Sequence, residues 1–355
     1  MRIVEILKSA VERGASDIHL VADDFVAFRI SGKVEFQESW GKLTSGQVAE
    51  LVYSVMTEKQ RKRLEEELSV DFSVGIKDVG RFRVNAFYER GRVSAVFRVL
   101  PEKIRTMEEL GLPPIVKELC KRDMGLILVT GPTGSGKTTT LASMVEFINQ
   151  NFEKHIITIE DPIEYVYERK KCIIRQRELF TDTPSFSRAL RDALREDPDV
   201  ILVGEMRDRE TIKIALTAAE TGHLVFGTLH TNTAVETINR IVGVFEEGEQ
   251  PQIMTELSFV LQGVISQRLL PRIDKPGRVL AYEILVPNTS IRNLIRTNKI
   301  HQIYAMMQSG QRESGMITMN QRLAELVRMG IIKKEIAMQA SPNKEELKKL
   351  LGGLF

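Results

Sequence analysis

The stretch GLILVTGPTGSGKTTTLASMVEFINQ, residues 125–150, decides how this chain folds. Its first six residues form an apolar run of strand length, the pattern of a strand buried on both faces. Gly131, Gly136, Lys137 and Thr138 then satisfy G-x-x-x-x-G-K-[ST], and KTTTLASMVEFI continues as a helix. Strand, glycine loop and helix in that order make a polyphosphate cradle. Glycines let backbone N–H groups approach the phosphates, and the helix N-terminus adds positive potential. Lys137 reaches the β- and γ-phosphates, and the Thr138 hydroxyl ligates magnesium. The expected binding set is Gly131, Thr133, Gly134, Ser135, Gly136, Lys137, Thr138 and Thr139.

Working outward, further strand-length apolar runs occur at HIITIE (155–160), VILVGE (200–205) and LVFGTL (224–229). Helical segments at 136–150, 185–196 and 209–221 separate them and are long enough for right-handed crossovers, which predicts a doubly wound α/β domain. From about 252 a helix (IMTELSFVLQGVISQRLL), a strand (RVLAYEILV) and helices to 351 are expected. Upstream, Ile3, Ile6, Leu7, Ala10 and Val11 have helical spacing and Gly14 ends the pattern. SDIHLV, DFVAFRISGKVEF and GRFRVNAFYERGRVSAVFRVL alternate apolar and polar residues, with Ser-Gly and Arg-Gly at turn positions, and residues 44–68 read as helical. This predicts an α+β domain over 1–100 with an antiparallel sheet. A linker over 101–112, marked by Pro101 and the GLPP at 111–114, leads to the α/β domain over 113–355.

The chain has 355 residues, 43% of them hydrophobic and 28% charged, and a formal net charge of +2. That balance supplies no global field for nucleic acid or an anionic membrane. With 6% aromatic residues and no basic-aromatic cluster in the second domain, a single-strand stacking platform is not expected either. Two cysteines, Cys120 and Cys172, make neither a disulfide framework nor a Cys-rich zinc site, and they fit a reducing compartment. No stretch approaches ~18 uncharged apolar residues, so neither a membrane span nor a secretory leader is expected.

Four further groups carry candidate chemistry. In VILVGEMRD, Gly204 stands where most phosphate-loop enzymes place a metal-binding Asp, and Glu205 offers the carboxylate. A second acid is therefore expected from a neighbouring strand, and IITIEDPIEYVY supplies Glu160, Asp161 and Glu164. In TGHLVFGTLHTNTA, His230 closes an apolar run at the edge where ligands bind in open α/β sheets, which favours it over His223 as a γ-phosphate contact. Arg81 and Arg83 share one sheet face, and together with Arg98 they are either solvated or meet phosphate held by a neighbouring subunit. Arg188, Arg191 and Arg195 line one helix face, solvated or at an interface.

In this order the four elements resemble the secretion-ATPase superfamily, with its Walker A, acidic Asp box, Walker B with Gly-Glu, and His box. Within it the chain is most similar to the PilT family of type IV pilus retraction ATPases, through its compact length, GEMRD at 204–208 and SIRNLIRTNK at 290–299, where Ser290 and Thr297 depart from the family's signature. The resemblance implies a PAS-like N-terminal domain, a RecA-like P-loop ATPase domain and a homohexameric ring. It implies ATP and Mg as ligands, with Lys137, Thr138 and Glu205 at nucleotide and metal, and His230 near the γ-phosphate. Glu164 is implied as general base, with Glu160 left as the alternative, and Arg83 and Arg98 as trans arginines. The implied setting is cytoplasmic, at the inner-membrane face beside a pilus-base platform protein, without membrane insertion or nucleic acid. The four-cysteine zinc insert and the additional N-terminal domain of assembly and secretion relatives are not seen in this sequence. Retraction is therefore expected ahead of pilus assembly, type II secretion or nucleic-acid translocation.

Overall fold

The structure is a computed structural model and describes residues 2–310 and 315–352. The chain divides into two compact units. One comprises the residues up to Lys103 together with Asp161–Val166 and Arg177–Pro184, and the other comprises Ile104–Glu160, Tyr167–Gln176 and the residues from Ser185 onward.

The first unit opens with the helix Ile3–Glu12, whose Ile3, Ile6, Leu7 and Ala10 are buried on one face. Its strands are β1 (Ala15–Leu20), β2 (Asp24–Phe25), β3 (Ala27–Ile30), β4 (Lys33–Phe36), β5 (Lys42–Leu43), β6 (Ser69–Ile76), β7 (Gly80–Glu89) and β8 (Arg92–Leu100). Six of them form one sheet in the order β4-β3-β1-β8-β7-β6, antiparallel throughout, and β2 pairs with β5. The β3–β4 and β7–β8 hairpins turn at Ser31-Gly32 and Arg90-Gly91, all four residues at positive φ, the geometry whose twist matches the strands. Alternation then divides the sheet faces. Phe28, Phe82, Val84 and Phe97 are fully buried against the helices, while Ser73, Arg83, Arg98 and Asp17 stand in register across the other face.

Two segments from the middle of the chain belong to this unit, although the sequence reading places them in the α/β domain. Side chains tie them there. Ser73 Oγ donates to Glu178 Oε2 (2.6 Å), Arg81 Nη2 donates to the Ile163 carbonyl (3.3 Å), and the Arg63 guanidinium lies 4.3 Å from the Phe180 ring centroid.

The second unit carries β9 (Gly125–Thr130), β10 (His155–Glu160), β11 (Ile173–Glu178, whose last two residues belong to the first unit), β12 (Val200–Val203), β13 (Leu224–Leu229), β14 (Leu261–Pro271) and β15 (Arg278–Leu285). Their order is β11-β10-β12-β13-β9-β14-β15. The pairs from β10 to β14 are parallel, and β15 runs antiparallel to β14. Every residue of β9, β12 and β13 is buried. Leu126 and Leu128 pack with helices Arg209–Glu220, Ala234–Gly243 and Gln250–Val260 on one face. Ile127 and Val129 pack with helix Lys137–Asn151 on the other. Each such side chain, once buried, stabilises the unit by about 1.5–3 kcal/mol, which is why uninterrupted apolar runs end up as central strands.

One expectation is corrected here. The run at 253–270, read as a single helix, is helical only through Val260 and continues as β14. Val264 and Ile265 bury into opposite layers, which adjacent residues do in a strand and not in a helix. Gly263 passes so close to Leu119 that an added Cβ would come within 2.7 Å of its Cδ1. Among the described residues no helix is long and apolar enough to cross a membrane.

Candidate active site

The parallel register brings the C-terminal ends of β9, β10, β12 and β13 to one edge of the sheet. The segments that leave this edge are the glycine loop, Glu160, Gly204-Glu205 and His230. In the loop, Gly131, Gly134 and Gly136 adopt φ of 142°, 77° and 89°, a region that side-chain-bearing residues rarely enter. The helix Lys137–Asn151 begins at Gly136 with no side-chain cap, and its N-terminus turns positive potential toward the loop. The Ser135 hydroxyl is buried without a hydrogen-bond partner among the described residues. Open glycine backbone, an uncapped helix start and an unsatisfied hydroxyl together fit a polyphosphate.

Lys137 Nζ donates to the carbonyls of Gly131 (2.8 Å) and Pro132 (3.3 Å), so its ammonium stays over the loop. Burial pushes that ammonium below the usual lysine range, and the charge of Glu205 works in the opposite direction. Glu205 Oε1 receives His230 Nε2 at 3.1 Å and also pairs with Arg207. Gly204 is explained by space. Its N–H donates to the Ile159 carbonyl (2.8 Å), and a Cβ there would stand 2.9 Å from that oxygen, so no Asp fits and the carboxylate moves on to Glu205.

Glu160 is buried at the end of β10, where its Oε1 accepts from Thr158 Oγ1 (2.6 Å) and Gln176 Nε2 (3.1 Å). Glu164 belongs to the first unit, where it pairs with Arg83 Nη1 at 3.7 Å. Arg83 also donates to Asp71 through Nη2 (2.8 Å), and this hydrogen bond raises its guanidinium pKa further. Arg98 Nε donates to Asp17 Oδ1 (2.9 Å). Burial alone would raise the Asp17 carboxyl, but hydrogen bonds from Arg98 and Ser16 outweigh it and hold the group below the usual range.

The second unit thus brings together the loop, Lys137, Thr138, Glu205, His230 and Glu160, and the first unit brings Glu164 to Arg83. His223 lies at the opposite, N-terminal end of β13, where its Nδ1 contacts the Ala218 carbonyl at 3.0 Å. Arg188 and Arg191 pair with Asp192 and Glu210 on the helix surface. Sequence reading missed Ser266 and Gln267, both on β14. Ser266 Oγ lies 2.8 Å from Thr130 Oγ1, and Gln267 Nε2 donates to the Ser135 carbonyl (2.8 Å). The signal that points to them is the β-branched pair Val264-Ile265 after Gly263.

A doubly wound sheet with a glycine-loop cradle, a strand-end Glu205 and a facing His230 defines a P-loop ATPase of the secretion type. Residues 1–338 match the family described as type II/IV secretion system protein. The chain is 51% identical over 339 residues to the type IV pilus retraction ATPase PilT of Pseudomonas aeruginosa, covering 96% of this chain and 98% of that one. It is 53% identical over 306 residues to a twitching motility protein of Neisseria gonorrhoeae, covering 86% and 82%. A crystal structure of the pilus retraction motor PilT with bound ADP superposes with a TM-score of 0.92 at 59% identity, covering 98% of this chain and 99% of that chain. The chain belongs to the type II/IV secretion system protein family, within its PilT branch.

Proposed function

We propose that this chain is the ATP-hydrolysing motor of type IV pilus retraction, working as a homohexamer on the cytoplasmic face of the inner membrane against a platform protein at the pilus base. The observation that carries the reading is the 3.1 Å contact of Glu205 with His230 beside the phosphate loop, in a chain so similar to PilT over its whole length.

On this reading the loop N–H groups and Lys137 bind the β- and γ-phosphates, and Thr138 and Glu205 would hold magnesium. Bound magnesium would offset the charge of the phosphate oxygens as the terminal bond breaks. His230 senses the terminal phosphate and Glu205 orients the groups around it. The general base is drawn from Glu160, on this sheet edge, or Glu164. Arg83 and Arg98 serve nucleotide held by a neighbouring copy, where their forks stabilise charge developing on the phosphate.

The test joins chemistry to work. Purified protein should hydrolyse ATP with magnesium and gain nothing from added DNA, and deletion of its gene should abolish twitching while surface pili accumulate. Loss of pili on deletion would convert the assignment to an assembly motor. Stimulation by DNA would convert it to a nucleic-acid motor.

A further inference from the structure

We propose that Arg268 is a positioning residue for ATP hydrolysis, holding the turn that follows His230 in register with the phosphate loop. It rests on the reading of His230 as the terminal-phosphate contact.

β14 lies between β9 and β15, and hydrogen-bonded pairing on both sides makes it a rigid support. Three consecutive residues in its middle reach the machinery. Ser266 meets Thr130, the residue before the loop, and Gln267 holds the loop through the Ser135 carbonyl. Arg268 Nη2 reaches the other side, donating to Asn232 Oδ1 at 3.1 Å, two residues after His230. Arg268 also lines a cavity of about 460 Å³ with Thr133, Gly134 and Ser135. One strand therefore grips both the loop that cradles phosphate and the turn that carries the histidine.

The same turn is fixed from behind. Glu283 on β15 is fully buried, and its Oε1 accepts the Ala234 N–H at 2.7 Å, the first residue of the helix after the turn. Glu236 accepts the Asn232 N–H at 2.8 Å. The Asn232 side chain is then the remaining handle, and Arg268 takes it. Arg268 does so with its Nε buried and without a hydrogen-bond partner among the described residues. An arginine kept half-satisfied in a packed site is retained for what its other nitrogen holds, because a shorter apolar side chain would avoid the unmade bond.

The experiment compares Arg268→Ala, Arg268→Lys, Asn232→Ala and the Arg268→Ala/Asn232→Ala double variant in steady-state ATP hydrolysis. Affinity for a fluorescent ADP analogue is measured alongside, with His230→Ala as reference. Arg268→Ala should lower kcat about tenfold or more, with KM and analogue affinity within about threefold of wild type. Arg268→Lys should regain part of the rate. Asn232→Ala should match Arg268→Ala, and the double variant should be no slower than either, because the two side chains act through one contact.

Multiplying losses in the double variant would overturn the proposal. So would raised KM and weakened analogue binding at preserved kcat, which would make Arg268 a direct nucleotide ligand. If Arg268→Ala does not fold, Asn232→Ala, which removes the acceptor while leaving Arg268 in place, carries the test with Arg268→Lys. Wild-type turnover in His230→Ala would sink the reading of His230. A slow His230→Ala beside a normal Arg268→Ala would sink the Arg268 proposal alone.

Discussion

Replacing Glu205 by Gln changes one charge and almost no volume, and the structure separates what that does to the fold from what it does to the chemistry. Glu205 is 18% exposed, but its partners Arg207 and His230 are 76% and 45% exposed, so both contacts lie close to water. Ion pairs in that setting contribute about 0–1 kcal/mol, and the amide keeps one acceptor oxygen, so unfolding free energy should shift by about 1 kcal/mol or less. Catalysis is different, because on the proposed reading the charge sits where metal and attacking water would be organised. Removing such a group costs roughly 10²–10⁴ in rate, about 2.7–5.4 kcal/mol of barrier. A second consequence concerns Lys137. Burial already lowers its pKa and Glu205 opposes that, so without the carboxylate the lysine loses its proton at a lower pH. Phosphate binding, present below that pKa, should then fade earlier as pH rises. The assays are phosphate release with magnesium, ADP-analogue binding across pH, and thermal unfolding. A folded Glu205→Gln protein that hydrolyses ATP within about threefold of wild type would refute the assignment.

Glu160→Gln and Glu164→Gln separate the two candidate bases: the true base should lose about 10²-fold or more in kcat with nucleotide binding retained, and equal small losses in phosphate release would exclude both. Rings mixed from Lys137→Ala and Arg98→Ala subunits should recover part of the ATPase activity that each lacks alone, and no recovery in mixed rings verified by mass would remove Arg98 from a trans role. Arg292 Nη1 donates to the carbonyls of Ser258 (2.7 Å) and Phe259 (2.9 Å) at the end of helix Gln250–Val260, so Arg292→Ala should cost about 1–3 kcal/mol in denaturant unfolding. Arg296, exposed and bonded locally to Asn293, should change stability by less than about 0.5 kcal/mol when replaced. For Asp17, whose folded pKa is depressed, the stability it contributes is present above its unfolded value of 3.8 and lost as pH falls through the lower folded value. The gap in unfolding free energy between wild type and Asp17→Asn should therefore be open at neutral pH and close in acid.

The phosphate loop, the apolar runs of β9, β10, β12 and β13, and the hairpins of the first unit were legible because each is a local pattern. Glycines at fixed offsets, period-two alternation and uninterrupted apolar runs act over a few residues and need no partner to be recognised. Gly204 was visible as a departure, but its cause, the Ile159 carbonyl that leaves no room for a side chain, lies on another strand. Three matters rested on contacts between distant parts of the chain. The run at 253–270 has apolar residues compatible with either period, and the slot beside β9 makes its second half a strand. The segment 161–166 follows a strand of the α/β unit, yet Arg81 and Arg83 draw it to the first unit. Arg292 reads as the polar face of a helix, and only the carbonyls ending the preceding helix give it a structural task. In each case the deciding term is a side chain or backbone group brought close by folding, to which local propensity is blind.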